Sequence, residues 1–166
     1  MSNPSKAKGT RGESAVARWF RENGFPHADR QPLRGNRDAG DIDLCPGAVV
    51  VEVKSVKSGA KGAPPPGDLA TWMAQAAAER DNAGAAYCPL IVKRAGTTDV
   101  GRWFAYLPLL DVWALLTGAH VMGADPQWSA RHEPAHMSDP VCMSVHTLAL
   151  ILRAAGYGDP ITEETP

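Results

Sequence analysis

In the stretch GDIDLCPGAVVVEVKS, residues 40–55, Asp41, Asp43, Glu52 and Lys54 surround a run of valines that ought to be buried. Hard carboxylate oxygens suit a divalent cation, and a fixed ammonium suits the anion that such a cation polarises. Mg2+ takes one or two carboxylates, several waters and substrate phosphate oxygens, so this set would serve metal-assisted hydrolysis of a phosphodiester. The same four residues would equally furnish the solvated face of an ordinary amphipathic hairpin.

Either reading needs a hairpin. Cys45-Pro46-Gly47-Ala48 carries a Pro-Gly turn signal between one strand over Ile42–Leu44 and another over Val49–Val53. Alternation puts Val49, Val51 and Val53 on one face and Val50, Glu52 and Lys54 on the other. With Pro46-Gly47 as a two-residue turn, residue 44 pairs with 49, 42 with 51 and 41 with 52, so Asp41 faces Glu52. Opposed Cβ atoms in such a pair stand about 4.5–5.5 Å apart, and like charges there need something positive between them. Lys54 helps, and a divalent ion would do more. A three-residue turn would break this register.

The elements around the hairpin follow from capping signals and periodicity. Thr10-Arg11-Gly12-Glu13 fits a capping box, predicting a first helix from Thr10 to Asn23-Gly24 with Val16, Trp19 and Phe20 on its apolar face. Glu13 is then either the acid of that cap or a group at the edge of the apolar face, aimed at the sheet. Ser58–Gly67 is loop by its glycines and prolines. Leu69, Trp72, Met73 and Ala76 predict a helix that packs on the sheet and ends at Asn82-Ala83-Gly84. Strands over Tyr87–Lys93 and Arg102–Leu107 and a helix over Asp111–Thr117 complete an α/β domain, a mixed sheet with flanking helices, over residues 1–118. Residues 119–166 read as an extension with one helix, starting at Asp139-Pro140 and striped by Val141, Val145, Leu148 and Leu152. That stripe must be covered by the main domain or by a second copy of the chain.

Composition is that of an ordinary globular domain, 44% apolar and 21% charged over 166 residues. No apolar run approaches the roughly 20 residues of a membrane span, and MSNPSKAKGTRGE is polar and basic, so a cytoplasmic protein with no membrane partner is expected. Cys45, Cys88 and Cys142 are too scattered for a disulfide framework and are expected to be buried or half-buried. Residues 1–60 carry ten Lys/Arg against seven Asp/Glu, and the remainder seven against eleven. Ions held by the early acids would make that surface positive and suited to a polyanion.

Gly40-Asp41, an eleven-residue step to Glu52-Val53-Lys54, and a preceding helix bearing Glu13 together resemble the PD-(D/E)XK nuclease superfamily, and within it Holliday junction resolvases of the archaeal and phage-encoded type. The likeness runs from Lys8 to Gly118. It implies a restriction-endonuclease-like core, a DNA endonuclease that uses Mg2+ or Mn2+, branched DNA as substrate in recombination and repair, and a twofold homodimer that makes paired cuts, acting in the host cytoplasm if phage-encoded. Asp41 and Glu52 would bind the ion, the Val53 carbonyl and Glu13 would add ligands, and Lys54 would orient or activate the attacking water. Gly40 stands where the motif carries proline.

On the next helix Gln75 matches a polar position of the superfamily, although the flank of an alanine-rich face explains it as well. Asp43 opposes Val50 and reads more simply as a solvated acid. For DNA contact, Lys6, Lys8 and Arg11 form a basic arm, Arg30, Arg34 and Arg37 crowd the loop before the hairpin, and Lys57 and Lys61 edge the Pro/Gly loop. Of these Arg34, Arg37 and Lys57 neighbour the carboxylates, with Lys8 and Arg11 next. His132 and His136 have zinc-ligand spacing, but Pro134 breaks the helix that such spacing requires and they read as connector histidines.

Overall fold

The valine run becomes a strand buried on both faces, and the rest of the molecule is arranged around it. The computed structural model describes residues 4–31, 39–55, 64–118 and 137–161, with the backbone alone for 4–9. Six strands lie side by side in chain order: β1 (Asp29–Arg30), β2 (Ile42–Cys45), β3 (Val49–Lys54), β4 (Leu90–Val92), β5 (Phe104–Pro108) and β6 (Pro140–Ser144). Neighbours are antiparallel except β3 and β4, which are parallel and joined through helix α2 (Pro66–Ala83). Helices α1 (Pro4–Glu22), α3 (Leu109–Thr117) and α4 (Val145–Ala154) complete an α/β architecture, a mixed sheet flanked by helices.

The alternation along β3 divides the core. Val49 and Val51 join Val16 and Phe20 of α1, Val112 and Leu115 of α3, and Leu148 and Leu152 of α4 on one face. Val50 joins Leu90, Val92 and Tyr106 under Ala76 of α2 on the other. Each fully buried side chain of this kind contributes about 1.5–3 kcal/mol. The charged end of β3 lies on the face that α2 covers.

Several elements depart from expectation, each for a local reason. α1 begins at Pro4 rather than Thr10, so Thr10 is interior and accepts from the Ser14 hydroxyl at 2.8 Å. Glu13 therefore has no capping role. Gly12 is buried where α1 crosses the end of β3, and a Cβ there would stand 3.4 Å from Ser55 Oγ. α2 starts at Pro66, inside the expected loop, because proline is well tolerated in a first helical turn; it ends as expected, with Gly84 at φ 63°. The strand expected from Arg102 begins at Phe104, because Val100–Arg102 closes the preceding loop as a short 3-10 turn.

The largest departure is C-terminal. Asp139-Pro140 opens a strand, not a helix: β6 is an edge strand, where the missing N–H of Pro140 costs little, and it pairs with β5 from Phe104↔Ser144 to Pro108↔Pro140. The helix begins only at Val145, capped by Ser144, whose side chain accepts from Thr147 N at 3.0 Å. Val145, Leu148 and Leu152 are fully buried in the chain's own core. The stripe is thus covered by the main domain and offers no argument for a second copy. Cys142 on β6 is exposed, whereas Cys88 is buried and Cys45 half-buried. Among the described residues no helix is long and apolar enough to cross a membrane.

Candidate active site at the end of a hairpin

The turn of the hairpin has three residues, Pro46–Ala48, yet the register at its far end is the expected one. Ile42 pairs with Val51 and Asp43 with Val50, while Cys45 pairs with Val49, so a bulge between Asp43 and Cys45 absorbs the extra residue. Asp41 sits just before β2 and donates its amide to Val51 O at 2.9 Å. Its carboxylate Oδ2 accepts from Val53 N at 2.9 Å. The expected opposition of Asp41 and Glu52 is therefore built into the backbone at both ends of the aspartate.

Gly40 makes this possible. Its φ of +91° lies in the left-handed region, closed to the proline that the motif would place there. A Cβ at Gly40 would stand 3.4 Å from both Val50 Cβ and Val51 O. Gly40→Ala is expected to destabilise the fold by about 1–2 kcal/mol, and Gly40→Pro by more; a urea titration of each against wild type measures it.

Glu52 is 4% exposed and in direct contact with the ammonium of Lys54 two residues on. A third acid completes the cluster. Glu79 of α2 is 6% exposed and sits close enough to Glu52 to oppose its ionisation. Burial, the charge of Glu52 and, further off, that of Glu13 push Asp41 up to about 7, although the Val53 amide favours its charged form. Burial likewise pushes Glu52 up to about 7; the Lys54 hydrogen bond opposes this and Glu79 reinforces it. Burial disfavours the charge on Lys54, but Glu52, Glu79 and Asp41 outweigh it and hold the ammonium above its ordinary range. Three acids share one cation, a charge deficit that protons relieve at low pH and a divalent ion could relieve at high pH.

Asp41 and Glu52 keep protons in the folded chain that the unfolded chain releases near 3.8 and 4.5. Their contribution is complete below those values and is lost as pH rises through about 7. Metal-free protein in EDTA should lose a few kcal/mol of unfolding free energy between about pH 4 and about pH 7 and level off above that. Mg2+ or Mn2+ should flatten that decline; urea unfolding across this range, with and without the ion, is the measurement.

The other expected residues are distributed unevenly. Glu13 faces the site closely enough to act on Asp41, but its Oε2 is held by Arg30 of β1 at 2.5 and 3.0 Å. Asp43 is half-buried rather than solvated, lines a cleft of about 540 Å3 with His27, Arg30 and Asn82, and is raised by burial. Gln75 is exposed on α2, one helical turn before Glu79 on the flank of the sheet-facing stripe Trp72, Ala76 and Glu79. Arg11 is exposed on α1. Arg34, Arg37, Lys57, Lys61, His132 and His136, and the side chains of Lys6 and Lys8, lie outside the described residues.

Sequence reasoning missed Glu79, yet its signal is present. Leu69, Trp72, Ala76, Glu79 and Ala83 follow helical spacing, and an acid in a core-facing register needs a partner. Among the described residues no group of three or more His, Cys, Asp or Glu side chains stands in an arrangement that holds an ion. Lys54 is seated on Glu52, and Arg30 on Glu13. The donor chemistry nevertheless fits Mg2+, which needs only one or two carboxylates. The Val53 carbonyl points to the same edge of β3 as the Val53 amide that binds Asp41, beyond the end of β2.

Comparison with protein-family models, with curated proteins and with solved structures finds no match to this chain.

Proposed function

We propose that the chain is a divalent-metal-dependent DNA endonuclease with a restriction-endonuclease-like core, of the PD-(D/E)XK type, that resolves four-way junctions by paired phosphodiester hydrolysis. One observation carries the reading: Asp41, oriented by the Val53 amide, meets Glu52 and Lys54 at a buried hairpin end. Buried acids gathered beside an ammonium at the rim of a sheet cost stability, and such strain suits a working site better than a scaffold.

Asp41 and Glu52 would hold Mg2+ or Mn2+ with the Val53 carbonyl; the ion would supply neutralisation of charge at the phosphate and a lowered water pKa. Lys54, kept protonated by its three acidic neighbours, serves as a hydrogen-bond donor and a fixed positive charge toward a phosphoryl oxygen or the attacking water, not as a base. Glu79 restrains Glu52 from the α2 side. Glu13 supports the site from α1 by orienting Arg30. The choice of branched DNA rests on the motif resemblance, and paired cuts would call for two chains related by a twofold axis.

The seating of Lys54 on Glu52 also favours a second reading, a DNA-binding protein on the same scaffold that does not cut. Incubating end-labelled four-way, flap and linear DNA with the protein in Mg2+ separates the two. Preferential, symmetric nicking of the four-way junction supports the proposal, equal cutting of flap or linear DNA moves it to a repair or restriction-like nuclease, and binding without cutting in Mg2+ or Mn2+ favours the second reading.

A further inference from the structure

β3 and β4 are the parallel pair of the sheet, and open α/β sheets take ligands beyond the carboxyl ends of such strands. Lys54 pairs with Val92, and Lys93 N donates to Lys54 O at 2.9 Å, so the two strands leave the sheet together. β4 then continues into Lys93-Arg94, both exposed. The two side chains part to opposite faces. Lys93 Nζ lies 5.5 Å from the ring centre of Trp103, which belongs to the α1 side of the core. Arg94 Cζ lies 5.3 Å from the ring centre of Phe104, which pairs with Val92 and packs with the α2-side cluster. Arg94 therefore stands on the face that carries Glu52 and Lys54.

Adjacent strands are about 4.8 Å apart and two residues advance about 6.6 Å, which puts the Arg94 backbone on the order of 8 Å from that of Lys54. Successive phosphates advance about 3.4 Å of helix axis per strand, so a phosphate one or two steps from the reacting one falls within reach of Arg94. The ring beneath restrains the guanidinium as a flat fork, the geometry that grips a phosphate with two hydrogen bonds. The acid of this connection, Asp99, is turned to its own backbone and accepts from Gly101 N at 2.9 Å.

We infer that Arg94 is a positioning residue that holds a backbone phosphate flanking the one placed at Asp41, Glu52 and Lys54; the inference rests on the nuclease reading above. The test is binding of a fluorescent four-way junction in EDTA across a salt series, for wild type, Arg94→Ala, Arg94→Lys and Arg80→Ala. Arg80→Ala removes the same charge from α2, where the Arg80 guanidinium is already paired with Asp81. Arg94→Ala should bind roughly tenfold more weakly at moderate salt, and its plot of log affinity against log salt should be shallower by about 0.9. Arg94→Lys should restore the slope but only part of the affinity, and Arg80→Ala should match wild type. An Arg94→Ala protein with wild-type affinity and slope, or an Arg80→Ala protein with an equal loss, overturns the inference while Mg2+-dependent cutting by wild type leaves the nuclease reading standing. Wild-type protein that neither binds nor cuts DNA overturns both.

Discussion

Asp41→Asn is expected to lower Mg2+-dependent DNA cleavage by about a thousandfold, the scale at which a lost electrostatic contact worth several kcal/mol acts on a rate. The substitution is close to isosteric, and an amide oxygen can still accept from Val53 N, so the hairpin should persist. Its charge is what disappears, and with it half of the carboxylate pair that would seat the ion. DNA binding in EDTA should be kept or tightened, since one negative charge has left the surface that meets phosphate. Because burial and Glu52 oppose ionisation of Asp41, the variant should also resist urea better than wild type above pH 7, a stability gain at the cost of activity. Glu52→Gln should lose cutting to a similar degree without that gain, because it also weakens the hydrogen bond to Lys54. A single set of cleavage, binding and unfolding curves on both variants checks this; wild-type cutting by Asp41→Asn would remove the aspartate from the site.

The second large effect concerns the C-terminal segment. A chain ended after Gly118 is expected not to fold. It would lose β6, the pairing partner of β5 along its whole length, and Val145, Leu148 and Leu152, all fully buried. At about 1.5–3 kcal/mol each, those three side chains alone approach the 5–15 kcal/mol by which a domain of this size is stable. Val145 N also bonds Trp103 O at 3.0 Å, stitching α4 to the turn before β5. Leu148→Ala in the full chain should cost about 2–5 kcal/mol by the cavity it leaves. Circular dichroism with thermal melting reads both: a cooperative transition in the 1–118 fragment would show that its core closes without β6 and α4.

What the sequence made legible was local. Pro46-Gly47 and the period-two alternation of the valines placed Asp41 against Glu52, and the three-residue turn that was expected to break this register does not, because the bulge takes up the extra residue before Ile42. The end of α2 was legible because Gly84 adopts the left-handed conformation that such a position demands. Features that depend on distant partners were not. Pro140 suits both a helix start and an edge strand, and only the exposed edge of β5 decides between them. β1 is two residues long, too short for any periodicity, and it exists because Asp29 and Arg30 meet Asp43 and Ile42. Glu13 read from its neighbours in sequence as either a capping acid or a group aimed at the sheet, and neither reading could supply its partner Arg30, seventeen positions away. Glu79 lay in a stripe otherwise apolar or small, and its meaning appears only once α2 is laid over β3 beside Glu52.

The central claim, that this carboxylate and lysine cluster hydrolyses DNA with a divalent ion, meets its most direct test in one assay: a four-way junction labelled on each strand, incubated with the protein in Mg2+ and in EDTA. Paired nicks placed symmetrically about the branch, present with Mg2+ and absent in EDTA, are predicted. An uncut junction at every protein and metal concentration, with Mn2+ as well as Mg2+, would contradict the account.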